Sequence, residues 1–215
     1  MIIVEKPVNI PTQGDESGDI DMLSLIKEYI KEKYNKPGNV FLGLVHRLDR
    51  PVGGVMVFAK TSKAASRLSE QVRSRNLKKT YLAVVHGNII NPNGTLIDYL
   101  IKDNKTNTVK IVKKDINGAK EAVLDYNLID TKDGLSLIKV NLQTGRPHQI
   151  RVQFAGLGNP LWGDQKYGAK ISKFGQQIAL WSHEIKLTHP VSKEEMSFKS
   201  VLPDKYPWSL FDFRM

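Results

Sequence analysis

Short runs of β-branched and aromatic residues, each closed by a turn signal, recur along this chain and constrain its fold more than any other feature. Residues 54–59 form a continuous apolar run of strand length, and residues 80–86 mix β-branched and aromatic side chains. Similar runs cover residues 108–112, 122–129 and 136–142, with shorter ones at 2–4, 179–181, 184–187 and 196–199. Lys6-Pro7 closes the first of them, while Pro92-Asn93-Gly94 and Lys132-Asp133-Gly134 read as turns between later ones.

Helical spacing appears in three places. Met22, Leu25, Ile26, Tyr29 and Ile30 recur on one face, with Asp21 as N-cap and Pro37-Gly38 as the stop. Thr61-Ser62 precedes Ala64, Ala65, Leu68 and Val72 in the same way. Thr144 is placed to cap a third helix with Pro147 in its first turn, ending near Gly156 or Gly158. On it His148 and Arg151 share one face, while Ile150 and Phe154 pack elsewhere. Strands outnumber helices and several are joined by tight turns, so the pattern predicts an α+β fold, a mixed, largely antiparallel sheet with flanking helices. With no repeat, low-complexity tract or long linker, residues 1–215 are expected to form a single catalytic domain.

Charge narrows the partners. Lysine and arginine total 32 against 22 acidic residues, a net charge of +10, and such a surface favours a polyanion. The chain has no cysteine, which excludes disulfides, thiolate zinc sites and cysteine nucleophiles. The first residues lack the basic start and apolar region of a signal peptide, and the apolar run at 55–59 is too short to cross a bilayer. A cytoplasmic protein is expected.

Three clusters can carry chemistry. In His46-Arg47-Leu48-Asp49-Arg50-Pro51, one carboxylate stands between two guanidinium groups, which favour its ionised form. Such an aspartate is either a nucleophile or an anchored salt-bridge partner. In Leu77-Lys78-Lys79-Thr80-Tyr81, a tyrosine follows two lysines: either a base-stacking ring beside phosphate contacts, or a core aromatic after a solvated turn. The third is Thr144-Gly145-Arg146-Pro147-His148-Gln149-Ile150-Arg151, whose polar face is a binding surface or simply a solvated one. Gly163-Asp164-Gln165-Lys166-Tyr167-Gly168 then suits a loop needing close backbone approach.

In order and wording these clusters resemble the RluA-like family of RNA pseudouridine synthases, which carry H-R-L-D, then K-x-Y, then T-G-R-x-H-Q-I-R followed by G-D. The resemblance runs from Val4-Glu5-Lys6-Pro7 to Leu187-Thr188-His189-Pro190. It implies a pseudouridine synthase fold with a central RNA-binding cleft, and a job for each matched residue. Asp49 is the catalytic aspartate, Tyr81 stacks on the base with its hydroxyl a candidate for proton movement, and Arg151 pairs with Asp49. Arg47 enters the RNA stack to fill the gap left by an extruded uridine. Arg50, Lys79, Arg146, His148 and Leu180 are expected at the RNA-binding surface. This chain has Val52-Gly53-Gly54 where many relatives have Thr-Ser-Gly, and it starts almost at Lys6-Pro7, so a stand-alone catalytic domain without a preceding S4-type domain is expected.

The implied reaction breaks N1–C1′ of a uridine and rejoins the turned base through C5, with no net redox change, no cofactor and no metal. An ionised aspartate serves it by attacking C1′, as a carboxylate does in retaining glycosidases, or C6 of the ring. The uridine must first leave the stack. Ribosomal or transfer RNA is the expected partner, met by a monomer with no obligatory protein partner and no membrane. Two other readings use the same residues: a non-catalytic RNA-binding or ribosome-assembly factor, and a nuclease with His46 and His148 as acid and base. A dinucleotide enzyme is disfavoured, since no G-x-G-x-x-G turn follows a strand.

Overall fold

The computed structural model describes residues 1–213. In chain order these form β1 (Ile2–Lys6), α1 (Met22–Lys33), β2 (Gly43–Leu44), β3 (Gly53–Ala59), α2 (Ser62–Arg73), β4 (Lys78–His86), β5 (Asn93–Asp103) and β6 (Thr108–Val112). Then come β7 (Lys120–Lys132), β8 (Leu135–Leu142), α3 (Gln149–Gly156), β9 (Leu180–Thr188) and β10 (Glu195–Lys199). The chain adopts the expected α+β architecture, strand-dominated and largely antiparallel with flanking helices. It divides into two compact units, Met1–Lys79 with Ser182–Val201, and Thr80–Trp181 with residues 202–213.

In the first unit β3 is central. It pairs antiparallel with β1, from Ile2 opposite Phe58 to Lys6 opposite Gly54, and with β2, while β10 pairs with β9. All seven β3 residues are buried, which explains why its sequence is continuously apolar rather than alternating. Val55, Val57 and Ala59 pack with Ala64 and Leu68 of α2 and with Ile185 and Leu187 of β9. Truncating Leu68 there would cost about 2–5 kcal/mol. Gly54 has φ +114°, and a Cβ on it would lie 2.2 Å from the carbonyl oxygen of Ser182, so only glycine fits. Both helices start as expected: Asp21 Oδ1 accepts the N–H groups of Leu23 and Ser24, and Thr61 Oγ1 that of Ala64.

In the second unit the strand order is β4-β8-β7-β5-β6. The turn at Lys132-Asp133-Gly134 joins β7 to β8 as expected, with φ of 52° at Asp133 and 72° at Gly134 to match the strand twist. α3 lies against β5 and β6, closing a small core of Leu100, Val109, Ala122 and Val152.

Three local expectations fail. Asn93 and Gly94 are not a turn but the start of β5, whose half-exposed residues alternate too weakly to read as a strand, yet whose backbone pairs with β7 from Asn93 opposite Asn127. The two short runs at 179–181 and 184–187 are one strand, β9, because Ser182 and His183 are buried and bonded, Ser182 Oγ to the Val55 carbonyl and His183 Nδ1 to that of Ser200. The third helix begins at Gln149, not after Thr144. Thr144 Oγ1 instead accepts the N–H of Val123 and bonds Gln149 Oε1, and His148 sits in the left-handed region with φ 51°, which stops the helix at its first residue. His148 and Arg151 therefore do not share a helical face.

Candidate active site

Asp49 lies in the irregular segment between β2 and β3, half-buried, and its carbonyl accepts the N–H of Val52 to close a turn. Three buried side chains of the first unit pin this segment. Lys6, with no exposed surface, donates from Nζ to the carbonyls of Pro7 (2.9 Å), Ile10 (2.6 Å) and Arg50 (3.0 Å). Thr12 Oγ1 donates to the Leu48 carbonyl at 2.9 Å and accepts the Leu48 N–H at 3.3 Å. His46 Nε2 accepts the N–H of Val57 at 3.2 Å. The residues on either side of Asp49 are thus bonded into the fold, and the carboxylate has a fixed backbone under it.

Electrostatics divide these groups. Burial pushes the Lys6 ammonium down to about 8, opposed by the negative charge of Asp49 and assisted by Arg50. Burial, reinforced by the charge of Lys79, pushes His46 down to about 3. A ring that neutral and that occupied at Nε2 makes a poor acid or base, so its part is to position the loop. Burial lowers Lys79 as well.

The two arginines beside Asp49 differ. Arg47 is exposed and its side chain makes no hydrogen bond or ion pair among the described residues. Arg50, expected at the RNA surface, turns back onto its own unit, with Nε on the Asn9 carbonyl, Nη1 on Ser17 Oγ and Nη2 on the Asp19 carboxylate.

In the second unit Tyr81 sits on β4 opposite Val140, only 5% exposed. Leu180, at the start of β9, is also buried. Arg146 is half-exposed and donates from Nε to the Glu121 carbonyl at 2.8 Å. Arg151 is buried on α3, where Nε and Nη2 each meet one carboxylate oxygen of Asp164 at 2.8 Å. Asp164 also accepts the N–H groups of Lys166 and Tyr167. Burial alone would raise its pKa, but the Arg151 guanidinium and those two N–H groups outweigh burial and hold it below the ordinary carboxylate value. Tyr167 completes the arrangement. Its hydroxyl accepts the Val109 N–H at 2.8 Å and bonds His148 Nδ1 at 2.7 Å, and its ring lies 5.2 Å from the Arg151 guanidinium. His148 and Arg151 are joined through Tyr167 rather than by helical spacing.

Four of these residues escaped the sequence reading as site components: Lys6, Thr12, Asp164 and Tyr167. Lys6 read as the end of a strand and Thr12 as part of a polar loop, and nothing local marks either as buried. The Gly163-Asp164 pair and Tyr167 were visible as a tight loop. Gly163, with φ +71°, would put a Cβ 2.4 Å from the Gln177 carbonyl oxygen.

A family model described as RNA pseudouridylate synthase matches residues 1–156. A protein of Bacillus subtilis named as an uncharacterized RNA pseudouridine synthase is 33% identical over 205 residues, covering 94% of this chain and 66% of that protein. The ribosomal large subunit pseudouridine synthase D of Pseudomonas aeruginosa is 31% identical over 227 residues, covering 98% of this chain and 68% of that protein. This chain therefore spans about two thirds of the length of these relatives. The solved structure of human RNA pseudouridylate synthase domain containing 4 shares the fold, with a TM-score of 0.78 at 22% identity, covering 94% of this chain and 85% of that one. Among the described residues no helix is long and apolar enough to cross a membrane. The family match over most of the chain, together with this identity to relatives along nearly its whole length, shows that the chain belongs to the RNA pseudouridylate synthase family.

Proposed function

We propose that this chain isomerises uridines in structured RNA to pseudouridine, with Asp49 as nucleophile and residues 1–215 acting as one catalytic domain with a central RNA-binding cleft. The observation that carries the reading is the pinned Asp49 segment: Lys6, Thr12 and His46 spend buried polar groups on fixing one loop backbone. Buried polar groups are costly unless bonded, and here their bonds converge around one half-buried carboxylate.

Asp49 attacks C1′ or C6 of the uridine; both routes need the same ionised carboxylate. Attack at C1′ displaces N1 and forms an Asp49–C1′ ester bond that breaks when C5 bonds to C1′. Addition at C6 forms an Asp49–C6 bond that is eliminated once the N1–C1′ bond has broken and C5 has joined C1′. On either route the C5 proton passes to solvent and N1 gains one, and the carboxylate is returned free. Arg151, fixed by Asp164, supplies the guanidinium that pairs with Asp49 and aims it. Tyr81 is too buried to meet a base inside a helix, so its assigned stacking role requires a uracil that has left the stack. Arg47, exposed beside Asp49, suits the gap the uracil leaves, and Lys79, Arg146, His148 and Leu180 are assigned to RNA binding through the family resemblance. Arg50, held by Asp19, shapes the loop first and meets phosphate second.

The relative named for the ribosomal large subunit makes ribosomal RNA the first substrate to test, with transfer RNA second. Pseudouridines should be mapped across total RNA from cells with and without the gene, and in cells carrying Asp49→Asn. The expected result is one or a few sites lost in both mutants, with D49N purified as a folded protein. Sites that persist in D49N would remove Asp49 as the nucleophile, and unchanged sites in the deletion would remove the reaction.

A further inference from the structure

Phe174 is fully exposed, 100% of its surface open to solvent, yet the segment that carries it is built. Lys173 and Gln176 close a turn on each other: the Lys173 N–H donates to Gln176 Oε1 at 2.6 Å and the Gln176 N–H to the Lys173 carbonyl at 3.1 Å. Phe174 and Gly175 form the tip, and Gly175 has the positive φ, +83°, that a glycine supplies at this turn position. Gln165 Nε2 braces the turn from below, donating to the Lys173 carbonyl at 2.7 Å. Ile171 and Ser172 donate their N–H groups to the Gly168 carbonyl, and Gly168 donates to that of Asp164. The tip is therefore tied through backbone bonds to the loop that grips Arg151.

Its charge is one-sided. From Gln165 to His183 the sequence has no aspartate or glutamate, while Lys166, Lys170 and Lys173 fall within it. A single exposed apolar side chain needs no explanation by itself. An aromatic ring on a braced tip, flanked by lysines without any acid, has the composition of a platform for single-stranded nucleic acid, where the ring takes a base face and the cations take phosphates.

We propose that this tip is an RNA contact separate from the residues that handle the target uridine: Phe174 stacks on an unpaired base, and Lys170 and Lys173 meet the adjoining phosphates. The inference rests on the reading that RNA is the substrate. It assigns the tip to choosing which unpaired region is engaged, because a stacking ring tolerates any base but requires one that is not paired. A duplex with no bulge or loop offers it nothing.

The test uses the full chain and total RNA from cells lacking the gene, with affinity measured by filter retention and turnover by pseudouridine mapping. Phe174→Ala should weaken binding roughly fivefold to 150-fold, the range expected for one base stack, while Phe174→Trp should bind like the parent. F174W should also show emission quenched by RNA, after subtraction of the signal from Trp162, Trp181 and Trp208 in the parent. Unchanged affinity in F174A, or F174W emission indifferent to RNA, overturns the contact. So does F174A that binds RNA normally but loses self-association by light scattering, since the tip would then join two copies. Failure of the parent itself to bind and modify RNA strikes the functional reading instead, and is seen before any variant is made.

Discussion

Asp164 grips Arg151 by two parallel hydrogen bonds of 2.8 Å, and both side chains are buried. The fork of a guanidinium matches the two oxygens of a carboxylate, so this contact sets the direction of Arg151 as well as its charge. Within its own unit, Asp164 is what holds the Arg151 guanidinium in place.

Asp164→Asn should therefore cost about 3–5 kcal/mol, because it leaves a buried guanidinium without its partner. Urea unfolding of the variant beside the parent measures this. The pH sign follows from the lowered pKa of Asp164. Its contribution is fully present above the ordinary carboxylate range and is lost as pH falls through the lower folded value. D164N should accordingly show a flatter stability profile in acid, and a parallel profile would mean that the pair contributes nothing. Arg151→Met strands the buried Asp164 carboxylate and should lose a similar amount of stability, and pseudouridine mapping at a temperature where it stays folded should find it nearly inactive.

Lys6 gives the opposite limb. Its folded pKa, about 8, lies below the ordinary lysine value of 10.5, so between these pH values the folded chain binds fewer protons than the unfolded one. Lys6 then opposes folding below pH 8, and that opposition is relieved as pH rises through the window. Activity should move the other way, since the neutral amine keeps only two donors for the three carbonyls around the Asp49 loop. Turnover should fall above about pH 8 while global stability does not. A flat turnover profile from pH 7 to 10, in a window set by that shifted value, would detach Lys6 from the site.

Tyr81 separates stacking from proton movement. Tyr81→Phe keeps the ring and should bind RNA like the parent, while Tyr81→Ala should lose roughly 1–3 kcal/mol of affinity. If the hydroxyl moves a proton, Tyr81→Phe should turn over about 10²–10⁴-fold more slowly despite normal binding. Single-turnover tritium release from 5-labelled uridine reads this directly. A fully active Y81F enzyme would leave the hydroxyl no chemical role.

Arg47 is tested by substrate shape. Filling the gap left by a flipped base matters only where the base was stacked, and unstacking costs a few kcal/mol. Arg47→Ala should thus slow modification of a uridine in a folded stem–loop far more than one in a short unstructured oligonucleotide. Equal losses on both would make Arg47 an ordinary phosphate contact. RNA affinity of the parent should also fall steeply with added salt, as expected for a chain of net charge +10 whose phosphate contacts release counterions.

Elements whose pattern is strong and local could be read directly from the residues. The all-apolar run of β3, the capped faces of α1 and α2, and the Asp133-Gly134 turn could each be read because one periodicity or one φ requirement dictates them. The clusters around Asp49, Tyr81 and Arg151 were legible as motifs, and so was the family they resemble. Tertiary structure decided the rest, because burial and partners are not local properties. β5 exists through its pairing with β7 rather than through its own alternation. α3 starts late because Thr144 is claimed by Val123 and Gln149 and because His148 takes a left-handed backbone. Lys6, a charged side chain that any local rule sends to the surface, is wholly buried because three carbonyls of the Asp49 loop and its neighbours converge on its ammonium.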